Sequence, residues 1–447
     1  MQIIETIVKN VNTVLWDYVL LFLLCGTGIY FTFRLKFVQV RKFGTGIKKV
    51  FSCFSLKGEK ADKSGMSSFQ ALTTAIAAQV GTGNIAGAAT AIASGGPGAI
   101  FWMWVSAFFG MATIYAEAIL AQKFKHIDEN GAVTGGPVYY IKAAFKGKFG
   151  KFLAAFFSVA IILALGFMGN MVQSNSIGVA FQTAFGINPV IVGIISAVFC
   201  AFIFVGGRAR IASLTEKIVP VMACLYIVGC IIVIGCCHNA IFESFRLIFV
   251  SAFNPQAVAG GIAGVTVKSA IRYGVARGLF SNEAGMGSTP HAHAIAKVDH
   301  PTEQGIVAMV GVFIDTFVIL TLTALVIMTT GVWNSGETGP ALAQNAFFAV
   351  FGGFGNIFIA ICMMFFALST IIGWYFFGET NIKSLIGEKY VKIYAVIVCL
   401  FIAVGSSLRV DLVWNMTDMF NGLMVLPNLL ALLALSNIVC SISKEKK

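Results

Sequence analysis

The chain has 447 residues, 58% of them hydrophobic and 11% charged, with a formal net charge of +12. Several apolar runs of about twenty residues, without strand-like alternation, exclude a soluble domain and a barrel and define an all-α polytopic membrane protein. The positive charge does not indicate nucleic acid, because Lys and Arg crowd into alternate loops, nine from Arg34 to Lys63 and six from Lys123 to Lys151. The positive-inside rule then places 25 of the 31 basic residues in the cytoplasm, with the N-terminus outside and the C-terminus inside a cell membrane. The ten cysteines lie mostly in apolar segments without metal-ligand spacing and read as small buried hydrophobes.

Eleven spans fit. Val14 to Phe33 is the first; it lacks a basic start and a small-residue cleavage site, so it is expected to remain as a helix. A basic, partly amphipathic loop on the inner surface follows. Span two lies within Ser67–Pro97, SSFQALTTAIAAQVGTGNIAGAATAIASGGP, and its centre is a poor helix. Gly81, Gly83 and Gly87, with Thr82 and Asn84, stand where Leu, Ile or Val would be usual. Each glycine weakens a helix by about 1 kcal/mol relative to alanine. Such small residues either let neighbouring helices pack closely or break the helix around a binding site.

Span three runs from Ala99 to Gln122 and carries Glu117 near its inner end. Span four, Phe152 to Phe181, contains Gly166, Gly169, Asn170 and Gln173. Span five starts at Asn188-Pro189 and ends at Gly206-Gly207-Arg208. Span six is expected to follow a capping box at Ser213-Leu214-Thr215-Glu216 and to reach about Cys237. After an outer segment, about 238–260, span seven reads AIRYGVARGLFSNEAGMGSTPHAHAIA over 270–296, again with a polar, glycine-rich centre. Spans eight (Ile306 to Thr330), nine (Asn356 to Asn381), ten (Lys392 to Gly405) and eleven (Leu412 to Ser436) complete the set. The linker 331–353 is expected to be an outer re-entrant or capping segment.

The break therefore occurs twice, at Val80–Asn84 and at Ser281–Gly287, five spans apart. An odd number of spans per repeat inverts the second half, which is the pattern of the leucine-transporter-type 5+5 inverted repeat with one extra N-terminal helix. Packing of small residues alone does not account for the matched positions. The division is then 1–65 for the first helix and basic loop, 66–237 for the first repeat, 238–440 for the outer segment and second repeat, and 441–447 for a cytoplasmic tail.

The run Val80-Gly81-Thr82-Gly83-Asn84-Ile85-Ala86-Gly87 resembles the signature of the alanine or glycine:cation symporter family, the sodium:alanine symporters of the amino acid–polyamine–organocation superfamily. Gly278–Ser288 (GLFSNEAGMGS), Gly169–Gln173 (GNMVQ), and Gly373-Trp374-Tyr375-Phe376 with Gly378-Glu379 resemble three further hallmarks, in the expected order across nearly the whole chain. The resemblance implies symport of a small neutral amino acid, alanine or glycine, driven by sodium (Na+) or alternatively by protons (H+). An enzyme is not indicated. His291 and His293 stand two apart, on different sides of a helix, and no HExxH or nucleophile–base pattern occurs. A channel would repeat its filter across subunits, whereas one chain here holds both halves.

A zwitterion of this size offers a carboxylate, an ammonium and almost no side chain. Half-helix N-termini suit the carboxylate, so the N–H groups of Thr82 and Gly83 are expected to bind it. Carbonyls freed near Gln79 and Phe280, with the amides of Asn170 and Gln173, are expected to accept from the ammonium; Asn170 and Gln173, three apart, share a face unless they serve interhelical bonding. Trp374, one turn beyond Thr370, is expected to wall the pocket with Met286 opposite. By analogy with the fold, one sodium site would use the Ala77 and Val80 carbonyls with Ser369 and Thr370. That Ser–Thr pair could instead bond its own helix. A second site would use the Gln79 carbonyl, Asn84 and Ser281, with Asp315 or Glu283. The intramembrane acids Glu117, Glu283 and Asp315 are costly and read as functional. Glu283 is expected in coupling or in a salt bridge to Arg277, Asp315 in ion coupling, and Glu117 in packing or an inner gate. Lys268, Arg272 and Arg277 on the outer half of span seven are expected to need an aqueous vestibule.

Overall fold

The structure, a computed structural model, describes residues 2–52, 65–127, 129, 131–254, 265–408 and 410–445. Among them seven helices are long and apolar enough to cross a membrane: Glu5–Arg34, Gly98–Lys123, Gly147–Phe185, Gly207–Cys236, Pro301–Thr329, Gly353–Leu385 and Val413–Ala434. These are spans one, three, four, six, eight, nine and eleven. Spans five and ten are the shorter apolar helices Pro189–Val205 and Val391–Gly405. Spans two and seven are each interrupted. Span two comprises Ser68–Gln79 and, beyond the break, Gly83–Gly87 continuing into Ala88–Gly95; span seven comprises Val267–Asn282 and Pro290–Ala294.

Local chemistry sets several of these ends. Ser67 accepts from the Gln70 N–H while the Gln70 side chain accepts from the Ser67 N–H, a capping box that starts span two. Thr266 and Ser269 repeat the device at span seven, and Asn188 with Pro189 opens span five. The capping box expected at Ser213–Glu216 is not one. Span six begins at Gly207, whose φ of +60° suits glycine, so Ser213–Glu216 lies well inside the helix. There the Glu216 carboxylate accepts from Gln70 Nε2 and Thr215 meets Thr74, tying span six to span two.

Packing follows the repeat. Span three packs on span eight, four on nine and five on ten, each helix against its counterpart five spans on. The linker 331–353 contains the helix Gly339–Phe351, which packs on the Gly83–Gly95 half of span two. The outer segment forms Ile241–Phe253 against span three; its remainder from 255 lies outside the described residues. The basic loop after span one includes the helix Phe43–Ser52, with 53–64 outside the described residues. Residues 441–445 of the expected tail continue the helix Ser436–Glu445, and 446–447 lie outside the described residues.

Lys268 and Arg272 need no vestibule alone, because both reach Asp17 of span one, at 3.3 and 3.1 Å. Span one is less regular than expected, widening to π-type turns over Leu15–Val19 around that aspartate.

Candidate functional site

The helical register of span two fails where the sequence puts Val80 and Gly81 after Gln79. Val80 turns out of the helix with ψ of 88°, and the chain resumes in wide turns from Gly83. Every residue from Gln70 to Ala89 is buried, so freed backbone groups must find partners inside the protein. Gly81 N–H donates to Asn84 Oδ1 at 2.9 Å, and Thr82 N–H donates to Gln173 Oε1 at 3.2 Å. The donor expected for a substrate carboxylate thus faces an uncharged amide oxygen from span four.

Gln79 joins the two breaks. Its Nε2 donates to the Asn282 carbonyl, at the end of span seven's first half, at 2.7 Å. Around Asp315 gather the side chains of Asn84 and Ser281, two of the groups the sequence assigns to a second sodium site. Asn84 Nδ2 donates to Asp315 Oδ1 at 2.6 Å and to its carbonyl at 3.1 Å. The Ser281 hydroxyl reaches both carboxylate oxygens, at 2.9 and 3.1 Å, and the Thr316 hydroxyl reaches Oδ2 at 2.8 Å. Asp315 sits in a π-widened stretch of span eight, Phe313–Leu320, a local defect common at functional sites. Span four widens likewise over Ile162–Gly169, directly before Asn170.

The Ser–Thr pair of span nine divides. Thr370 Oγ1 lies 2.9 Å from the Ala77 carbonyl and 3.0 Å from its own Phe366 carbonyl, so it touches the break and bonds its helix together. Ser369 bonds Phe366 and points to the Met222 sulfur of span six. Gly81 is obligatory against Thr370, since a Cβ there would stand 2.2 Å from Oγ1. Gly83 admits the backbone of span seven, a Cβ meeting Ser281 Cα at 3.0 Å.

Glu283 makes no hydrogen bond to the Asp315 cluster and no ion pair with Arg277 among the described residues. Its carboxylate accepts from the Ser288 hydroxyl at 2.5 Å and from the Trp374 indole N–H. The expected Arg277–Glu283 salt bridge is replaced by a bidentate pair with Asp418 of span eleven, at 3.0 and 2.5 Å, under the Trp414 ring. A guanidinium fork matches a carboxylate bidentately, and the Glu283 carboxylate is already taken by Ser288 and Trp374. The Trp374 ring packs edge-on to Phe280 and against Gly169, where a Cβ would come within 2.5 Å. Met286 is fully buried in the same turn of span seven.

Glu117 takes a specific role. Its two oxygens accept the N–H groups of Gly285 and Gly287, both at 3.0 Å, and Asn428 Nδ2 at 2.6 Å. Tyr140 in turn donates to Asn428 Oδ1. Asn282, Thr316, Asn428 and Asp418 were not singled out in the sequence, although each is a polar residue in an apolar span. His291 and His293 face apart as expected, toward Asn381 and Gln304 respectively.

Four buried polar atoms beside the span-two break make no hydrogen bond among the described residues: Gln79 Oε1, Thr82 Oγ1, Asn170 Oδ1 and Gln173 Nε2. Chemically they offer three oxygens to an ammonium or cation and one N–H donor to a carboxylate.

Paired broken helices at matched places in a 5+5 arrangement define the leucine-transporter-type fold. The fold matches that of MhsT in its complex with L-phenylalanine (TM-score 0.60, 14% identity, covering 87% of this chain and 99% of that one) and of an Eremococcus coleocola manganese transporter (TM-score 0.54, 14% identity, 85% and 78%). The chain belongs to the sodium:alanine symporter family, whose model matches residues 1–446. It is 43% identical to "Sodium/alanine symporter AgcS" of Methanococcus maripaludis, covering 98% of this chain and 96% of the relative. It is also 43% identical to "Probable sodium/glutamine symporter GlnT" of Bacillus subtilis, over 99% and 91%.

Proposed function

We propose that the protein imports alanine or glycine together with sodium, by alternating access around the two breaks, with its N-terminus outside the cell membrane. The observation that carries the reading is the Asp315 cluster, which gathers Asn84 of span two and Ser281 of span seven on one carboxylate. A cation there would contact an anionic oxygen and hydroxyl oxygens, a donor set suited to sodium, and its binding would fix the two broken helices relative to each other. The substrate carboxylate would replace Gln173 Oε1 at the Thr82 N–H, near a half-helix N-terminus. Its ammonium would use Thr82 Oγ1 and Asn170 Oδ1, while Trp374 and Phe280 restrict the side chain to about a methyl group. Thr370 with the Ala77 carbonyl would form a further sodium contact.

Proton coupling is the second reading, supported by the same buried carboxylate, which could carry a proton in place of a metal ion. Uptake of radiolabelled alanine and glycine into proteoliposomes decides between them. An imposed sodium gradient should drive accumulation above equilibrium. Accumulation driven by a pH gradient and indifferent to sodium would refute the sodium reading.

A further inference from the structure

A hard cation takes oxygen ligands, and the oxygens around Asp315 are fewer than its neighbours suggest. Asn84 Oδ1 accepts from the Gly81 N–H at 2.9 Å, so the group Asn84 turns to Asp315 is its nitrogen. Asn84 therefore presents a donor there and no oxygen. Among the described residues, the side-chain oxygens that reach the carboxylate are the hydroxyls of Ser281, at 2.9 Å, and Thr316, at 2.8 Å.

Neighbouring residues of a regular α-helix do not face each other. Asp315 and Thr316 do meet, inside the widened turns of Phe313–Leu320. Asn282 determines how the Thr316 hydroxyl can point. Its Oδ1 accepts from the Ala284 N–H at 3.0 Å, which leaves Nδ2, a donor only, toward Thr316 Oγ1 at 3.2 Å. Thr316 must accept there, so its own proton goes to Asp315 Oδ2. A hydroxyl has two lone pairs, and the second stays free beside the carboxylate. Asn282, Asp315 and Thr316 are all buried, so the hydroxyl has no bulk water to turn to. The Asn282 carbonyl meanwhile accepts from Gln79 Nε2 at 2.7 Å. One residue at the span-seven break thus holds span two and aims a hydroxyl of span eight.

We propose that Thr316 is an oxygen ligand of the cation at Asp315, and that Asn282 is the positioning residue that aims its hydroxyl. The assignment rests on the sodium reading given above and names the oxygen that Asn84 does not supply. Asn282 itself does not touch the cation; it acts through Thr316.

The test is equilibrium binding of radiolabelled alanine to the purified full chain across a sodium series, with thermal unfolding of each variant. Thr316→Val removes the hydroxyl at nearly constant shape. The sodium concentration for half-maximal alanine binding should rise about tenfold, while alanine affinity at saturating sodium stays within about twofold. Thr316→Ser keeps a hydroxyl and should bring the sodium requirement back to within about twofold of the wild type. Asn282→Ala retains the carbonyl that Gln79 uses but frees the Thr316 hydroxyl. It should raise the sodium requirement about threefold, and it serves where Thr316→Val fails to fold. A merely structural Thr316 would lower the unfolding temperature and leave the sodium requirement unmoved. That result, or a requirement as high in Thr316→Ser as in Thr316→Val, would overturn the assignment while the wild type stays sodium-dependent. Wild-type binding indifferent to sodium would overturn the sodium reading, and the assignment with it.

Discussion

The break in span two is held by neutral groups, the amides of Asn84 and Gln173 and the hydroxyl of Thr370. The break in span seven is held by carboxylates: Glu117 accepts two backbone N–H groups, and Glu283 ties Ser288 to Trp374. Its backbone also uses left-handed conformations at Glu283, Gly285 and Gly287. Charged hydrogen bonds in a buried setting are roughly twice as strong as neutral ones. A neutral amide oxygen can give way to a substrate carboxylate, whereas Glu117 already fills the anion-binding backbone of span seven. On the proposed function, the repeat would divide the work, with substrate exchange at span two and anchoring at span seven.

The division can be broken at either end. Gly81→Val forces a side chain into Thr370 Oγ1, 2.2 Å from the first added carbon. Uptake should fall to that of empty liposomes, with the protein still monodisperse in detergent. Glu117→Ala leaves Gly285 N–H and Gly287 N–H without their acceptor, while Asn428 Nδ2 keeps the Gly285 carbonyl. At about 1–3 kcal/mol for each unsatisfied group, thermal unfolding in detergent should occur at clearly lower temperature, and Glu117→Gln, which keeps one oxygen, should lose less. Three identical melting curves would remove Glu117 from the anchor.

At span two the effects should fall mainly on affinity. Gln173→Ala removes the Nε2 donor proposed for the substrate carboxylate and should weaken alanine binding about tenfold, roughly 1.4 kcal/mol. It leaves only the Thr82 N–H without its acceptor, so its unfolding temperature should fall less than that of Glu117→Ala. The smallest effect belongs to Ser369→Ala, whose hydroxyl bonds its own helix. The sodium concentration for half-maximal uptake should stay within about twofold, while Thr370→Ala raises it several-fold. Equal shifts in both variants would return Ser369 to the cation site.

Both breaks were legible in the sequence because glycine and polar residues interrupt apolar runs at matched places. The cluster of Asn84, Ser281 and Asp315 was legible as three costly polar residues in the repeat. Partnerships were less so. Arg277 finds Asp418, 141 residues away, since the register of span eleven against span seven is a property of packing and no local pattern encodes it. Glu117 reads as any acid near a helix end until Gly285 and Gly287 are seen to point their N–H groups at it. At Ser213–Glu216 a correct local motif is overridden because the helix has already started at Gly207.

The central claim is that Asp315 links the cation to the substrate through both broken helices. Calorimetric titration of alanine at increasing sodium, on the wild type and on Asp315→Asn, tests it most directly. Binding sites coupled through a shared element strengthen each other reciprocally, by typically 1–3 kcal/mol. Sodium should tighten alanine binding about tenfold or more in the wild type and have almost no effect in Asp315→Asn. The same sodium dependence in both proteins would contradict the account.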